Sequence, residues 1–144
     1  MDKMRKDQLT RVVIFALVKE NKILLEKRPV KGFTDHQFLI PGGTVLDDEL
    51  ENLEKALKRE LVEELGVTPT EFELLTDEEI VGVYDNTLKP FVISKWEGEI
   101  PKNVLDKDDP YPLEWVEIEE ALATPFEGSR KIIQHLKEFL SKNR

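Results

Sequence analysis

Residues 59–67 read RELVEELGV and place Glu60, Glu63 and Glu64 within one helical turn of one another. Leu53, Leu57, Leu61 and Leu65 recur every four residues, the spacing of an apolar stripe on an α-helix, and Gly66 supplies the stop. Acids three and four apart on a helix are neighbours, so Glu60 repels Glu63 and Glu64, each pair costing about a few tenths of a kcal/mol. The helix C-terminus, with roughly half a negative charge, adds to that repulsion. At roughly 100° per residue, Glu64 projects between Leu57 and Leu53, inside the apolar arc. Two arrangements resolve the conflict. Surface glutamates on a solvated helix, with Arg59 paired to Glu63, need no further partner. Alternatively, a hard divalent cation gathers the carboxylate oxygens and keeps several waters for a phosphate substrate.

Upstream, residues 38–43 read FLIPGG, an apolar segment ending in an expected Pro-Gly-Gly turn. Glycines allow close approach of a ligand, which makes Gly43 a substrate-contact candidate, and a carbonyl in such a turn can ligate a metal. The series Gly43, Glu49 or Glu51, Arg59, Glu60, Glu63, Glu64, Gly66 resembles the Nudix box, G-x5-E-x7-R-E-U-x-E-E-x-G-U with U apolar, and Leu61 and Val67 fill the apolar slots. This chain carries two extra residues between Gly43 and Arg59. Glu49 keeps the family spacing to the glycine, and Glu51 keeps it to the arginine. Asn52 is a good helix N-cap, which puts the extra residues in the loop 47–51; Asp48 with Glu51 three residues on is a competing start.

The resemblance covers most of the chain and lies nearest the MutT-like branch. It implies hydrolysis of a nucleoside diphosphate linked to another group, with Mg²⁺ or Mn²⁺ neutralising phosphate charge and activating water. A nucleoside triphosphate is the first expectation; ADP-ribose, sugar nucleotides and dinucleoside polyphosphates are others. Carried over residue by residue, Glu60, Glu63 and Glu64 hold the metals together with the Gly42 carbonyl. Glu60 is the preferred general base, with Glu63 or Glu99 as alternatives, and Arg59 orients the acids. Arg28, closing the run ILLEKR, matches a phosphate-contacting residue. Glu99, in the run WEGE, matches a further metal ligand. Ser129 lies nearest to the base-reading asparagine of MutT-like enzymes, which has no counterpart here, so oxidised-guanine specificity does not follow. Tyr84 falls near a tyrosine position of some dinucleoside polyphosphate hydrolases, and Phe33, Phe38 and Trp96 could stack on a base or pack. The alternative is a non-catalytic module on the same fold that senses nucleotides or docks proteins; such modules typically lose box acids, and all three are present here.

Around these residues, 11–19 and 23–27 are β-branched-rich runs joined by Glu20-Asn21-Lys22, a hairpin. Residues 71–84 and 88–96 form a second expected strand pair around Asp85-Asn86-Thr87. A short strand at 113–118, a short helix at 119–123 and a helix at 129–142 follow. Strands bracketing a helix, with another helix at the end, give an α/β sandwich around a mixed sheet, in agreement with the Nudix-type α/β/α sandwich the resemblance implies.

The chain has 144 residues, 40% hydrophobic and 35% charged, which suits one domain spanning 1–144. It contains no cysteine and two histidines, so disulfides, thiolate nucleophiles and Cys-based zinc sites are excluded. The net charge of −9 argues against long nucleic acid as a partner. Eight acids against three bases in residues 47–64 concentrate the charge, which would repel a small phosphorylated substrate unless cations intervene. No apolar run is long enough for a membrane, residues 1–8 are too charged for a secretory signal, and a cytoplasmic setting follows. Oligomeric state is left open.

Overall fold

A single strand, β1 (Arg11–Lys19), feeds two cores. Its alternation sends Val13, Phe15 and Leu17 to one face, where they meet Ala56, Leu57, Leu61 and Leu65 of helix α1 (Leu53–Leu65). Ile14, Ala16 and Val18 point the other way, onto helices α2 (Ile118–Ala121) and α3 (Glu127–Lys142) through Ile118, Ala121, Ile132, Ile133 and Leu136. Period two in the strand and period near four in the helices thus build the expected α/β/α layers. The computed structural model describes residues 10–106 and 108–143, so the charged segment 1–8 lies outside the described residues.

Glu20 and Asn21 both take positive φ, 53° and 65°, which closes a two-residue hairpin from β1 to β2 (Lys22–Arg28). The two strands pair only at Val18–Ile23 and Lys19–Lys22 before diverging. Strand β4 (Gly42–Thr44) takes the place beside β1 that β2 leaves, and β3 (Gln37–Leu39) pairs with β2. The expected Pro-Gly-Gly turn is therefore corrected to a strand start: Pro41 separates two short strands. A side chain on Gly42 would overlap the Val13 carbonyl and Ile14, so glycine lets the backbone close on β1.

On the other edge, β7 (Thr87–Glu97) runs parallel to β1 from Arg11–Thr87 to Leu17–Ile93. The expected single strand at 71–84 is broken in two, β5 (Thr68–Leu74) and β6 (Ile80–Val81), with 75–79 as a loop. Pro90 supplies the reason. Its carbonyl accepts from Leu75 N–H at 2.8 Å, so that side of β7 faces β5, and proline has no N–H to continue the ladder. Pairing resumes at Ile80–Leu88, and the turn that follows spans residues 82–86, slightly earlier than expected. Strand β8 (Leu113–Glu117) completes the sheet beside β2. Helix α3 begins at Glu127, two residues before the expected start. No helix among the described residues is long and apolar enough to cross a membrane.

Candidate active site

Helix α1 is fixed at both ends by its own sequence. Asn52 Oδ1 accepts from Lys55 N–H at 3.2 Å, and Gly66 caps the C-terminus at φ 69°. With Leu57, Leu61 and Leu65 buried, the helix phase turns Glu60 toward strand β4. The carboxylate of Glu60 lies over the Cα of Gly43, where any Cβ would overlap it. Glycine at 43 thus makes room for a side chain of this chain as well as lining a cavity.

Arg59 collects the surrounding acids. Its Nε donates to Glu49 Oε2 at 2.7 Å, Nη2 donates to Glu49 Oε1 at 2.9 Å and to the Thr44 carbonyl at 3.0 Å, and Nη1 donates to Glu63 Oε1 at 2.9 Å. Glu60 Oε2 lies 3.2 Å from the same Nη1. Glu49 also accepts from Leu46 N–H at 3.0 Å and is 1% exposed, whereas Glu51 is exposed. The upstream glutamate facing the arginine is therefore Glu49, and the extra length is absorbed after it by residues 50–52. Bonding to Arg59 holds the Glu49 carboxyl down at about 2.

Glu64, Glu60 and Glu26 have the opposite character. Burial, together with repulsion from Glu60, Asp106, Glu26 and Glu63, pushes Glu64 up to about 7. Burial raises Glu60 despite Arg59, and burial raises Glu26 despite Arg28. Arg59 faces Glu60 and Arg28 faces Glu26, whereas Glu64 has no ion-pair partner among the described residues and four acidic neighbours bear on it; hard oxygen donors of this kind are the set a divalent cation takes. The donor chemistry fits. In the conformation described, Glu60 and Glu63 are drawn to Arg59, and among the described residues no three acids or histidines already converge as a cage. A cation would take these oxygens in competition with the guanidinium.

A cavity of about 420 Å³ opens beside the acids. Gly42, Gly43, Glu26, Arg28, Tyr84, Asn86, Phe126 and Ser129 are among the residues that line it. Arg28 Nη1 donates to Glu26 Oε2 at 3.3 Å, and its guanidinium carbon sits 4.7 Å from the Tyr111 ring and 5.8 Å from that of Tyr84. Ser129, in the first turn of α3, lines the cavity. Glu99 is exposed on the loop after β7, and it is Asp106 and Glu26 rather than Glu99 whose charges bear on Glu64.

Sequence reasoning passed over Glu26, Asp106, Asn86 and Phe126. Glu26 had a signal, an acid two residues beyond Leu24 at an inward-facing strand position. Asp106 had none, because the N–H of the preceding Leu105 donates to the Glu64 carbonyl at 2.8 Å, a tertiary contact. Phe33 packs edge-on against Phe126 at 5.3 Å, and Trp96 stacks on Trp115 at 6.1 Å. Phe38 lies under the Lys27 ammonium, 5.5 Å from it.

Residues 8–136 match the family model described as NUDIX domain. An 8-oxo-dGTP diphosphatase of Buchnera aphidicola from Schizaphis graminum is 33% identical over 93 residues, which span 63% of this chain and 68% of the relative. The solution structure of the E. coli ORF135 protein superposes with a TM-score of 0.71 at 25% identity, over 92% of this chain and 91% of that one. The crystal structure of the MutT protein from Bacillus halodurans gives 0.67 at 28% identity, over 89% and 82% of the two chains. The chain belongs to the Nudix domain family.

Proposed function

We propose that this chain hydrolyses a phosphoanhydride bond of a nucleoside diphosphate linked to a further group, nucleoside triphosphates first, with Mg²⁺ as the cation and Mn²⁺ able to replace it. The family is one of hydrolases acting on phosphorus-containing anhydrides, so the chain is an enzyme and the proposal concerns which anhydride. One observation carries the reading: the Glu60 carboxylate lies over Gly43, on the wall of a cavity that also contains Arg28, with Glu64 one helical turn on. The activity by which the Buchnera relative is named supports the triphosphate, without its oxidised base.

In this reading Glu60, Glu63, Glu64 and the Gly42 carbonyl hold the metal, and Glu99 can join them. When bound, Mg²⁺ neutralises phosphate charge and lowers the pKa of the attacking water. Glu60, held over Gly43 at the cavity wall, would take the proton of the attacking water. Arg59 holds Glu60 and Glu63 in place through its grip on Glu49 and Thr44. Arg28, stacked on its tyrosines, donates to the substrate phosphates, while Ser129 and Gly43 border the bound nucleotide. The whole span 1–144 acts as one unit, in a cytoplasmic setting.

The test is incubation with nucleoside triphosphates, ADP-ribose, sugar nucleotides and dinucleoside polyphosphates plus Mg²⁺, followed by identification of products. A nucleoside monophosphate with pyrophosphate is the expected pair. Metal binding without turnover of any of these would instead favour a nucleotide-sensing module.

A further inference from the structure

Among the described residues, two side-chain atoms are buried without a hydrogen-bond partner, Arg28 Nε and Asn86 Oδ1, and both residues line the same cavity. Buried polar atoms are satisfied as a rule, and an exception points to a partner that arrives from outside. The phosphate role proposed above absorbs the free donor of Arg28. The free acceptor of Asn86 has no such use.

Asn86 is held by its turn and, among the described residues, by no hydrogen bond of its own side chain. Gly82 N–H donates to the Asn86 carbonyl at 2.8 Å, Asp85 N–H donates to the Gly82 carbonyl at 3.1 Å, and Asp85 adopts φ 58°. A Cβ at Gly82 would overlap Asn86 Oδ1 and press on Leu88, so the carboxamide lies against the bare Cα of Gly82. Around it, Val81, Leu88, Phe126 and Ile132 supply apolar wall. An apolar wall that carries a carboxamide held by packing is how proteins bind and select a heterocycle.

We infer that Asn86 is a specificity-determining residue, its carboxamide oxygen accepting a hydrogen bond from an amino group on the nucleobase. The inference rests on the nucleotide reading given above. Adenine and cytosine carry an amino group beside a ring nitrogen, and a carboxamide meets that pair with acceptor and donor together, the pattern by which asparagine recognises adenine. Hypoxanthine and uracil carry an oxo group at the same ring position, which would set lone pair against lone pair and leave the buried oxygen unsatisfied.

The experiment measures kcat/KM with Mg²⁺ for ATP against ITP and for CTP against UTP, in the wild type and in Asn86→Leu and Asn86→Asp. The wild type is expected to favour the amino member of at least one pair by about tenfold or more, since a site built to hydrogen-bond a group rejects the analogue that lacks it. Asn86→Leu brings that ratio to about one, and Asn86→Asp, which keeps an acceptor, retains a preference for the amino member. A ratio does not depend on how much of a variant folds. Loss of rate in Asn86→Leu with the ratio unchanged, or a wild-type preference for the oxo member, overturns the inference. An enzyme active on all four but indifferent to the exchange overturns this inference alone; one inert toward all four removes the nucleotide reading beneath it.

Discussion

Arg59 grips Glu49 with two hydrogen bonds, Nε to Oε2 at 2.7 Å and Nη2 to Oε1 at 2.9 Å, ten residues apart in sequence and across the inserted loop. The pair ties that loop to helix α1 and leaves Arg59 Nη1 for Glu60 and Glu63. Removing Glu49 takes two charge-assisted hydrogen bonds from Arg59, which keeps Glu60, Glu63 and the Thr44 carbonyl, at a cost of about 3 kcal/mol. Glu49→Ala is therefore expected to lower Tm by roughly 10 °C in a chain of this size. Glu51→Ala, at an exposed position, should leave Tm within about 2 °C of wild type. Thermal denaturation of the two variants decides it, and equal effects would refute the assignment of Glu49.

The two glycines of β4 separate stability from activity. A methyl at Gly42 meets the Val13 carbonyl, a backbone atom that cannot move aside without breaking the β1–β4 ladder, so Gly42→Ala should destabilise by about 1–3 kcal/mol. A methyl at Gly43 meets the Glu60 side chain from Cγ outward, a flexible group that can turn aside where the Val13 carbonyl cannot. Gly43→Ala should keep its Tm and lose about tenfold or more in kcat, because the displaced group is the proposed base. A Gly43→Ala enzyme with wild-type turnover would contradict the placing of Glu60.

These residues also show where sequence was legible and where it was not. The leucine stripe, Asn52 and Gly66 specify α1 locally, so the position of Glu60, Glu63 and Glu64 on it could be read directly. The sheet was harder, because strand pairing is non-local. Gly42 looks like a turn until β1 is seen to pair with it, and the break at residues 75–79 is dictated by Pro90, whose missing N–H matters only on the side facing β5. Glu49 and Glu51 were indistinguishable by spacing; only the burial of Glu49 against Arg59 separates them. Glu26 and Asp106 reach Glu64 from a strand and a loop far away in sequence, and no helix periodicity could have gathered them.

Glu63 is the exposed member of the acid set, with its side chain 56% accessible and bonded to Arg59 at 2.9 Å. A surface pair of that kind contributes little to folding, and glutamine keeps an acceptor for Arg59. Glu63→Gln is expected to hold Tm within about 2 °C and to lose at least about 10²-fold in kcat, the scale of a misplaced electrostatic group. Steady-state kinetics at saturating Mg²⁺ provide the check; near-normal turnover would remove Glu63 from the proposed metal set.

The acids around Glu64 make stability depend on pH and on Mg²⁺ in linked ways. Burial and its acidic neighbours raise the Glu64 carboxyl from 4.5 to about 7, so the folded chain binds that proton more tightly than the unfolded chain does. The associated stability is intact below the unfolded value and is lost as pH rises through about 7. Protein treated with EDTA should accordingly melt at a lower temperature at about pH 8 than at about pH 6. A cation binds the ionised carboxylates in competition with the proton, so the increase in Tm on adding Mg²⁺ should be larger at about pH 8 than at about pH 6. Glu64→Gln should flatten the first dependence and shrink the second. Scanning calorimetry at the two pH values, with and without Mg²⁺, measures both; a Mg²⁺ shift that is the same at each pH, or that survives intact in Glu64→Gln, would show that the cation does not bind at Glu64.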